Sequence, residues 1–397
     1  MKEFVSNRAK GIEPSVTLSL NTKANELKEA GEDVIGLAAG EPDFQTPDVI
    51  KESAIDAIRA GKTRYTPAAG ISELRREIAG AYSDIIGVDY DHSEVMVSNG
   101  AKHCIFNALY VLTDPGDEVA IFTPYWVSYP EMVKLVGAKP RIVELDPEND
   151  YKLTLEGLKK SIGGTNTRVI LYNSPNNPAG IVYDRDEIEK VGRFLLDNDI
   201  MLISDEIYEF LTYGNCRHYS PVSILPELKD STVVITGVSK SYSMTGWRIG
   251  FALGNREVIY RMGAYQAHAT GCPNAISQRA AVTALQKGEK DREKMREAFE
   301  KRKEILGRRL SAIASVRYPE PDGAFYFLVD VSSLYRSCGV TSSSDFCDKL
   351  LDEVGLLLIP GGPFGCDSTV RFSFAVSEET LDEAMNRFEK FVSRYER

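Results

Sequence analysis

Short apolar runs rich in β-branched residues recur through the middle of the chain, separated by amphipathic segments. EVMVS (94–98) leads into AKHCIFNALYVL, and EVAIF (118–122) is followed by a loop and VSYPEMVKLVG. RVILYN (168–173), IMLIS (200–204) and TVVITG (232–237) continue the series, with a helical period in DRDEIEKVGRFLLDN (184–198) between two of them. Runs this short and this apolar predict strands buried on both faces. Their alternation with helices predicts an α/β fold with a mostly parallel central sheet covered by helices. The last third changes character. GEKDREKMREAFEKRKEILGRRLSAI (288–313) predicts one long charged amphipathic helix, followed by strands at AFYFLVDV (324–331), GLLLIP (355–360) and TVRFSFAV (369–376) and a final helix from about 377. The first forty residues carry little core pattern beyond a short helix ending near Gly31. Thr46-Pro47 predicts a helix start, an N-cap followed by proline at the first helical position. The expected organisation is a large domain at 46–287 and a smaller α+β domain joining 1–45, with an N-terminal arm, to 288–397.

Composition narrows the function. The net charge of −11 over 397 residues argues against nucleic acid, which selects basic faces. It also means that recognition of a carboxylate must come from a few local cations. The six cysteines are scattered, and the N-terminus lacks the apolar core of a signal peptide, so the thiols are expected to be reduced in a cytoplasmic protein. No apolar run approaches the ~18 residues that span a bilayer. The four histidines lack zinc-like spacing, so no protein-built metal site is expected. AGKT (60–63) and MLISDE (201–206) imitate a nucleotide triphosphatase, but the position five before Gly61 is Asp56, and the phosphate-loop pattern fails.

In an open parallel sheet, ligands gather beyond the carboxyl ends of the strands. NGAK (99–102), NSPNNPAG (173–180), SDEIY (204–208) and GVSK (237–240) all fall at such ends. Most lysines are solvated charges. Lys240, set among small residues, has the alternative of forming a Schiff base with a flat aldehyde cofactor. Asp205 either caps the next turn or, buried beside an aromatic nitrogen heterocycle, keeps that nitrogen protonated. Tyr208 is either core or a partner of the ring's phenolic oxygen. Asn177 is either turn chemistry or a fixed amide donor to the same oxygen. Gly100 and Ala101 open a helix whose N–H groups suit a phosphate, and Arg248 can add bidentate contacts. Trp126, in a loop, is either core or a stacking face. Arg371 alternates with Val370 and Phe372, and is either an exposed edge charge or a carboxylate fork.

Together these fragments resemble the class I (fold type I) aminotransferases, which depend on pyridoxal 5′-phosphate. GVSKSYSMTGWRIG fits that family's cofactor-lysine motif, and the similarity runs from EPSVTLSL near the start to VRFSFA near the end. The resemblance implies the fold type I PLP-transferase architecture and a homodimer. It makes Lys240 the Schiff-base lysine, Asp205 the partner of the ring nitrogen, and Asn177 and Tyr208 the partners of the phenolic oxygen. Trp126 becomes the stacking aromatic, Arg248 the phosphate arginine, and Gly100, Ala101 and Lys102 the phosphate-side helix start. Tyr65, in TRYTPAAG, resembles the tyrosine that reaches the neighbouring subunit's phosphate. Gly40, in AAGEPDF, and Arg371 match the groups that hold the substrate α-carboxylate. Gly237 departs from the pattern, standing where many relatives place a phosphate-binding serine, with Ser239 and Ser98 as candidate replacements.

EPSVTLSL, NGAKH and PYWVSYPEM resemble the bacterial and plastid aspartate aminotransferase branch, in which counterparts of Ser15, Thr17 and Lys102 recognise the distal carboxylate of a diacid. Some members of that branch also transaminate prephenate. Lys102 has the plainer alternative of assisting only the cofactor phosphate. The three residues speak against C–S β-elimination or a tyrosine or kynurenine transamination on the same scaffold, and leave a broad-specificity aromatic aminotransferase as the open alternative. The short stretch before residue 46 leaves no room for the winged helix of an aminotransferase-like transcriptional regulator.

Overall fold

The computed structural model describes residues 4–12, 22, 26, 27 and 29–396. The predicted apolar runs become strands β2 (Val95–Ser98), β3 (Glu118–Phe122), β4 (Lys139–Val143), β5 (Thr167–Asn173), β6 (Met201–Asp205), β7 (Thr232–Gly237) and β8 (Gly250–Leu253), after a two-residue β1 (Ile35–Gly36). They form one seven-stranded sheet in the order β2-β8-β7-β6-β5-β3-β4, in which only β8 runs against its neighbours. Alternate residues feed opposite layers. Val95, Val97, Ile170 and Tyr172 pack into one core, while Met96, Val169 and Leu171 pack into the other. Because both faces are apolar, the strands read as continuous rather than alternating runs.

Helices α1 (Asp48–Arg59), α2 (Ser72–Ile86), α3 (Ala101–Leu112), α4 (Ser128–Leu135), α5 (Leu155–Ile162), α6 (Arg185–Asp197), α7 (Arg256–Ala269) and α8 (Ala275–Lys287) cover this sheet. α3, α4 and α7 supply one layer; α1, α2, α5, α6 and α8 supply the other. Past Gly288, α9 (Glu289–Ser311) begins the second core. It packs with α11 (Glu378–Tyr395), and with α10 (Ser343–Val354) and the three-stranded sheet between them. That sheet is antiparallel, with β12 (Thr369–Ser373) between β9 (Tyr326–Asp330) and β11 (Ile359–Pro360). No helix among the described residues is long and apolar enough to cross a membrane.

Two local expectations need correction. GLLLIP is not one strand: β10 (Leu356–Leu357) pairs in parallel with β1, and after the buried Leu358 the chain re-enters a different sheet as β11. One extended run therefore serves two partners. Thr46 does not cap α1. Pro47 occupies the cap position without a side-chain bond. The Thr46 hydroxyl instead donates to Ser243 O at 2.6 Å and accepts from Trp247 Nε1 at 3.0 Å, tying the entry of α1 to the loop after β7.

Candidate active site

The register of the central sheet sets the site. Asn173 pairs with Asp205, Asp205 with Ile235, and Gly237 with Gly250, so the strand ends β5, β6 and β7 lie in a row. The cavity beyond them has a volume of about 630 Å³. Gly40, Ala101, Lys102, Trp126, Asn177, Asp205, Tyr208, Lys240, Arg248 and Arg371 all line it, drawn from segments more than 300 residues apart in the chain. Gly100 sits just behind as the N-cap of α3. No side chain caps that helix, which leaves its first N–H groups open to an anion. The backbone of Gly100 is left-handed (φ +88°), and a Cβ there would collide with Arg248 Nη2. The missing side chain is what lets the guanidinium lie across the helix start. Arg248 is held there by Thr245 O at 2.9 Å and Asn99 O at 3.3 Å.

Lys240 leaves a single helical turn, Val238–Ser241, directly after β7, and its Nζ donates to Gly40 O. Burial, helped by the Arg371 and Arg248 charges, lowers its ammonium pKa to about 8 against the pull of Glu41 and Asp205. Asp205 is 4% exposed, and burial pushes its carboxyl up to about 6. Two donors oppose that rise: the Tyr129 hydroxyl at 2.6 Å and the Ile207 N–H at 3.3 Å. The Tyr208 hydroxyl meets that of Tyr326 at 3.0 Å, and burial holds its pKa well above the ordinary phenol value.

Arg371 resolves the choice left by its strand pattern. It lies on the central strand of its sheet and is 2% exposed, so it is not an edge charge. Nη1 donates to Asn177 Oδ1 and Nη2 to Ala38 O, each at 3.0 Å, while buried Nε has no partner. Its cation lies over the Tyr326 ring at 4.4 Å, and no carboxylate among the described residues pairs with it. A buried guanidinium without a counter-ion is set up for an anionic ligand. Lys102 places its Nζ 4.7 Å from the Trp126 ring centroid; burial, then the Arg248 charge, lowers its pKa.

Other residues fall elsewhere. Ser239 lines the cavity, whereas Ser98 is buried and accepts from Asn107 Nδ2 at 3.2 Å, away from it. Gly237 cannot gain a side chain freely, since a Cβ would meet Gly250 Cα and Ile249 O at 2.9 Å. Ser15 and Thr17 lie outside the described residues. Tyr65 does not line the cavity. It stands 98% exposed on the loop between α1 and α2. Behind it, two fully buried glutamines fasten the loop. Gln266 donates to Ala68 O at 2.6 Å and Val97 O at 2.9 Å. Gln278 accepts from Ile71 N at 2.7 Å and donates to Thr66 Oγ1 at 3.0 Å.

Sequence reasoning missed Asn173, Tyr129 and Tyr326. Tyr129 carried a usable signal, since it follows Trp126 by three residues at a helix start, which puts both on one side. Tyr326 alternates with Phe325 and Phe327 in a strand read as core, and nothing local distinguishes it.

Comparison with known proteins agrees with this geometry. A family model described as aminotransferase class I and II matches residues 32–388. The chain is 45% identical over 392 residues to an aspartate aminotransferase of Bacillus sp. (strain YM-2), covering 99% of this chain and 100% of that one. It is 39% identical over 393 residues to an aspartate/prephenate aminotransferase of Thermus thermophilus, covering 98% and 99%. The solved structure of an aspartate aminotransferase from Thermus thermophilus with maleate aligns at a TM-score of 0.93 and 38% identity, over 98% of this chain and 100% of that one.

Behind Asp205 the chain turns two further carboxylates away from the cavity. Glu206 accepts from Ser204, Ser220 and His218 at 2.7, 2.8 and 2.9 Å. Glu209 accepts from the Tyr82 hydroxyl and, at 2.6 Å, from Thr236. Burial, then the Glu206 charge, raises Glu209 from 4.5 to about 7. A carboxyl with a raised folded-state pKa contributes stability that is fully present at low pH and lost as pH rises through the folded value. Glu209→Gln keeps the acceptor and removes the charge. Its stability relative to wild type should therefore improve by about 2 kcal/mol between about pH 5 and about pH 8, read by urea unfolding. An equal difference at both pH values would mean that Glu209 is already ionised at the lower one.

Proposed function

Because the chain belongs to the class I and II aminotransferases, we propose that it exchanges amino groups between dicarboxylic amino acids and 2-oxo acids, with aspartate or glutamate as donor and 2-oxoglutarate or oxaloacetate as acceptor. The observation that carries this reading is a pair of cations in one cavity: Arg371, buried without a counter-ion, and Lys102, over Trp126. Arg371 takes the α-carboxylate as a fork, with Gly40 and Asn177 beside it. Lys102 takes the side-chain carboxylate, and Ser15 and Thr17 are assigned to the same end. Prephenate, a bulkier diacid, engages the same two cations. The relative from Thermus thermophilus named for both substrates supports including it among the acceptors.

Pyridoxal 5′-phosphate is the cofactor of this family, and the fittings of the cavity suit it. Arg248, Gly100, Ala101 and the open start of α3 take the phosphate; Asp205 takes the ring nitrogen; Asn177 and Tyr208 take the phenolic oxygen; Trp126 covers the ring. When bound, the cofactor supplies an aldehyde that takes up the amino group and a ring that draws electrons from the substrate Cα. Lys240, whose amine is neutral in a useful fraction at neutral pH, removes the proton from Cα and returns one in the opposite half-reaction. The two half-reactions alternate, which gives ping-pong kinetics. We assign 46–287 to a large domain and 1–45 with 288–397 to a small one, supported by the separation of the cores around the two sheets. Six free thiols support a cytoplasmic setting. The exposed Tyr65 supports a homodimer in which it reaches the neighbouring site.

Three experiments bear on this reading. Lys240→Ala should abolish the visible absorbance band that the lysine–cofactor linkage gives the loaded protein and cut turnover roughly a thousandfold or more; ordinary turnover would refute the assignment. Lys102→Ala should lower kcat/KM for aspartate and glutamate roughly tenfold or more, with little change for a monocarboxylic amino acid. Equal losses would leave Lys102 to the phosphate alone. Mixing Tyr65→Ala with Lys240→Ala subunits should recover activity that neither variant has, because one site of each mixed dimer is then intact; no recovery would sink the shared site.

A further inference from the structure

Tyr129 projects from α4, an element separate from the strand that carries Asp205, and its hydroxyl donates to Asp205 Oδ2 at 2.6 Å. The tyrosine is 2% exposed. It is joined to the loop tryptophan twice: its N–H donates to Trp126 O at 2.9 Å, and the two rings meet edge to face at 5.4 Å. The face that covers the ring site and the donor that grips the carboxylate thus belong to one rigid unit. Asp205 Oδ1 is held separately by the Ile207 N–H, and Glu206, next in sequence, is engaged with His218 and two serines.

We propose that Tyr129 is a positioning residue for transamination, whose hydroxyl holds Asp205 as a fixed, ionised acceptor for the proton on the cofactor's ring nitrogen. The inference rests on the assignment of Asp205 to that nitrogen. A buried carboxylate tends to take a proton for itself. Were Asp205 to do so, the ring nitrogen would lose its proton and the ring much of its pull on Cα electrons. A hydrogen bond donated to the ionised form opposes that transfer, and bonds to charged acceptors are the stronger kind. Tyr129 is fitted to the task because burial and the Asp205 charge hold its own pKa far above the ordinary phenol value, so it only donates. The plain alternative is a core tyrosine that has merely found a partner for its hydroxyl.

The test uses holoenzyme loaded with cofactor isotopically labelled at the ring nitrogen, read by nuclear magnetic resonance at neutral pH. Tyr129→Phe keeps the ring against Trp126 and removes the donor. The ratio of nitrogen-protonated to carboxyl-protonated forms should fall about tenfold, moving the nitrogen signal towards its unprotonated position. kcat should fall in parallel, with KM for the amino donor within about twofold. Tyr129→His, which restores a donor, should return both towards wild type. Asp205→Asn gives the reference for complete loss. If Asp205→Asn moves the signal and Tyr129→Phe does not, Tyr129 only fills space and the proposal is overturned while the Asp205 assignment stands. If Asp205→Asn leaves the signal in place, the assignment itself fails and takes this inference with it. Should Tyr129→Phe not load cofactor, Tyr129→Leu, which also lacks the donor, takes its place, and an unmoved nitrogen signal there overturns the proposal.

Discussion

The side-chain amide of Asn173 is engaged on both of its ends. Its Nδ2 donates to Asp205 O at 2.9 Å and to Pro175 O at 3.3 Å, and its Oδ1 accepts from Asn177 N at 3.0 Å. Through these bonds the end of β5 fixes the end of β6 and the turn that carries Asn177. Asn177 in turn accepts from Arg371, which arrives from β12 in the other sheet. The carboxylate, the amide and the guanidinium are thereby set by one buried residue, and their spacing is decided before any ligand enters. Preorganisation of this kind is what a site needs if charge is to develop without reorganising its surroundings.

The electrostatics follow from where each charge is placed. In a chain of net charge −11, the cavity gathers Lys102, Lys240, Arg248 and Arg371. Burial pulls the proton affinities of Lys102, Lys240 and Arg371 down and pushes that of Asp205 up, so each group is held away from its behaviour in water. Two neighbouring acids are diverted, Glu206 to His218 and Glu209 to Tyr82 and Thr236, while Glu41 lines the cavity, accepts from Thr245 Oγ1 at 2.6 Å and pulls on Lys240. Arg371 and Lys102 have no carboxylate partner among the described residues and are left for a ligand that brings its own.

Much of this was legible in the sequence because the central strands are buried on both faces and announce themselves as unbroken apolar runs. Their carboxyl ends then point to the site, and the chemistry-bearing fragments fall there. Legibility fails where a residue's job depends on a distant partner. Thr46 looks like a helix cap until the Ser243 carbonyl and the Trp247 indole claim its hydroxyl. GLLLIP looks like one strand because periodicity cannot say that β1 and β12 will divide it. Asn173 and Tyr326 look like strand interior, since their importance lies in contacts more than thirty residues away.

The loop bearing Tyr65 is stitched to α7 and α8 through Gln266 and Gln278, and their amides have no water to fall back on. Loosening the loop would strand several amide and carbonyl groups in a dry interior. The backbone that carries the exposed aromatic is therefore held in place. The entropy of ordering that backbone is surrendered when the single chain folds, so anything that bound at this surface would not have to supply it.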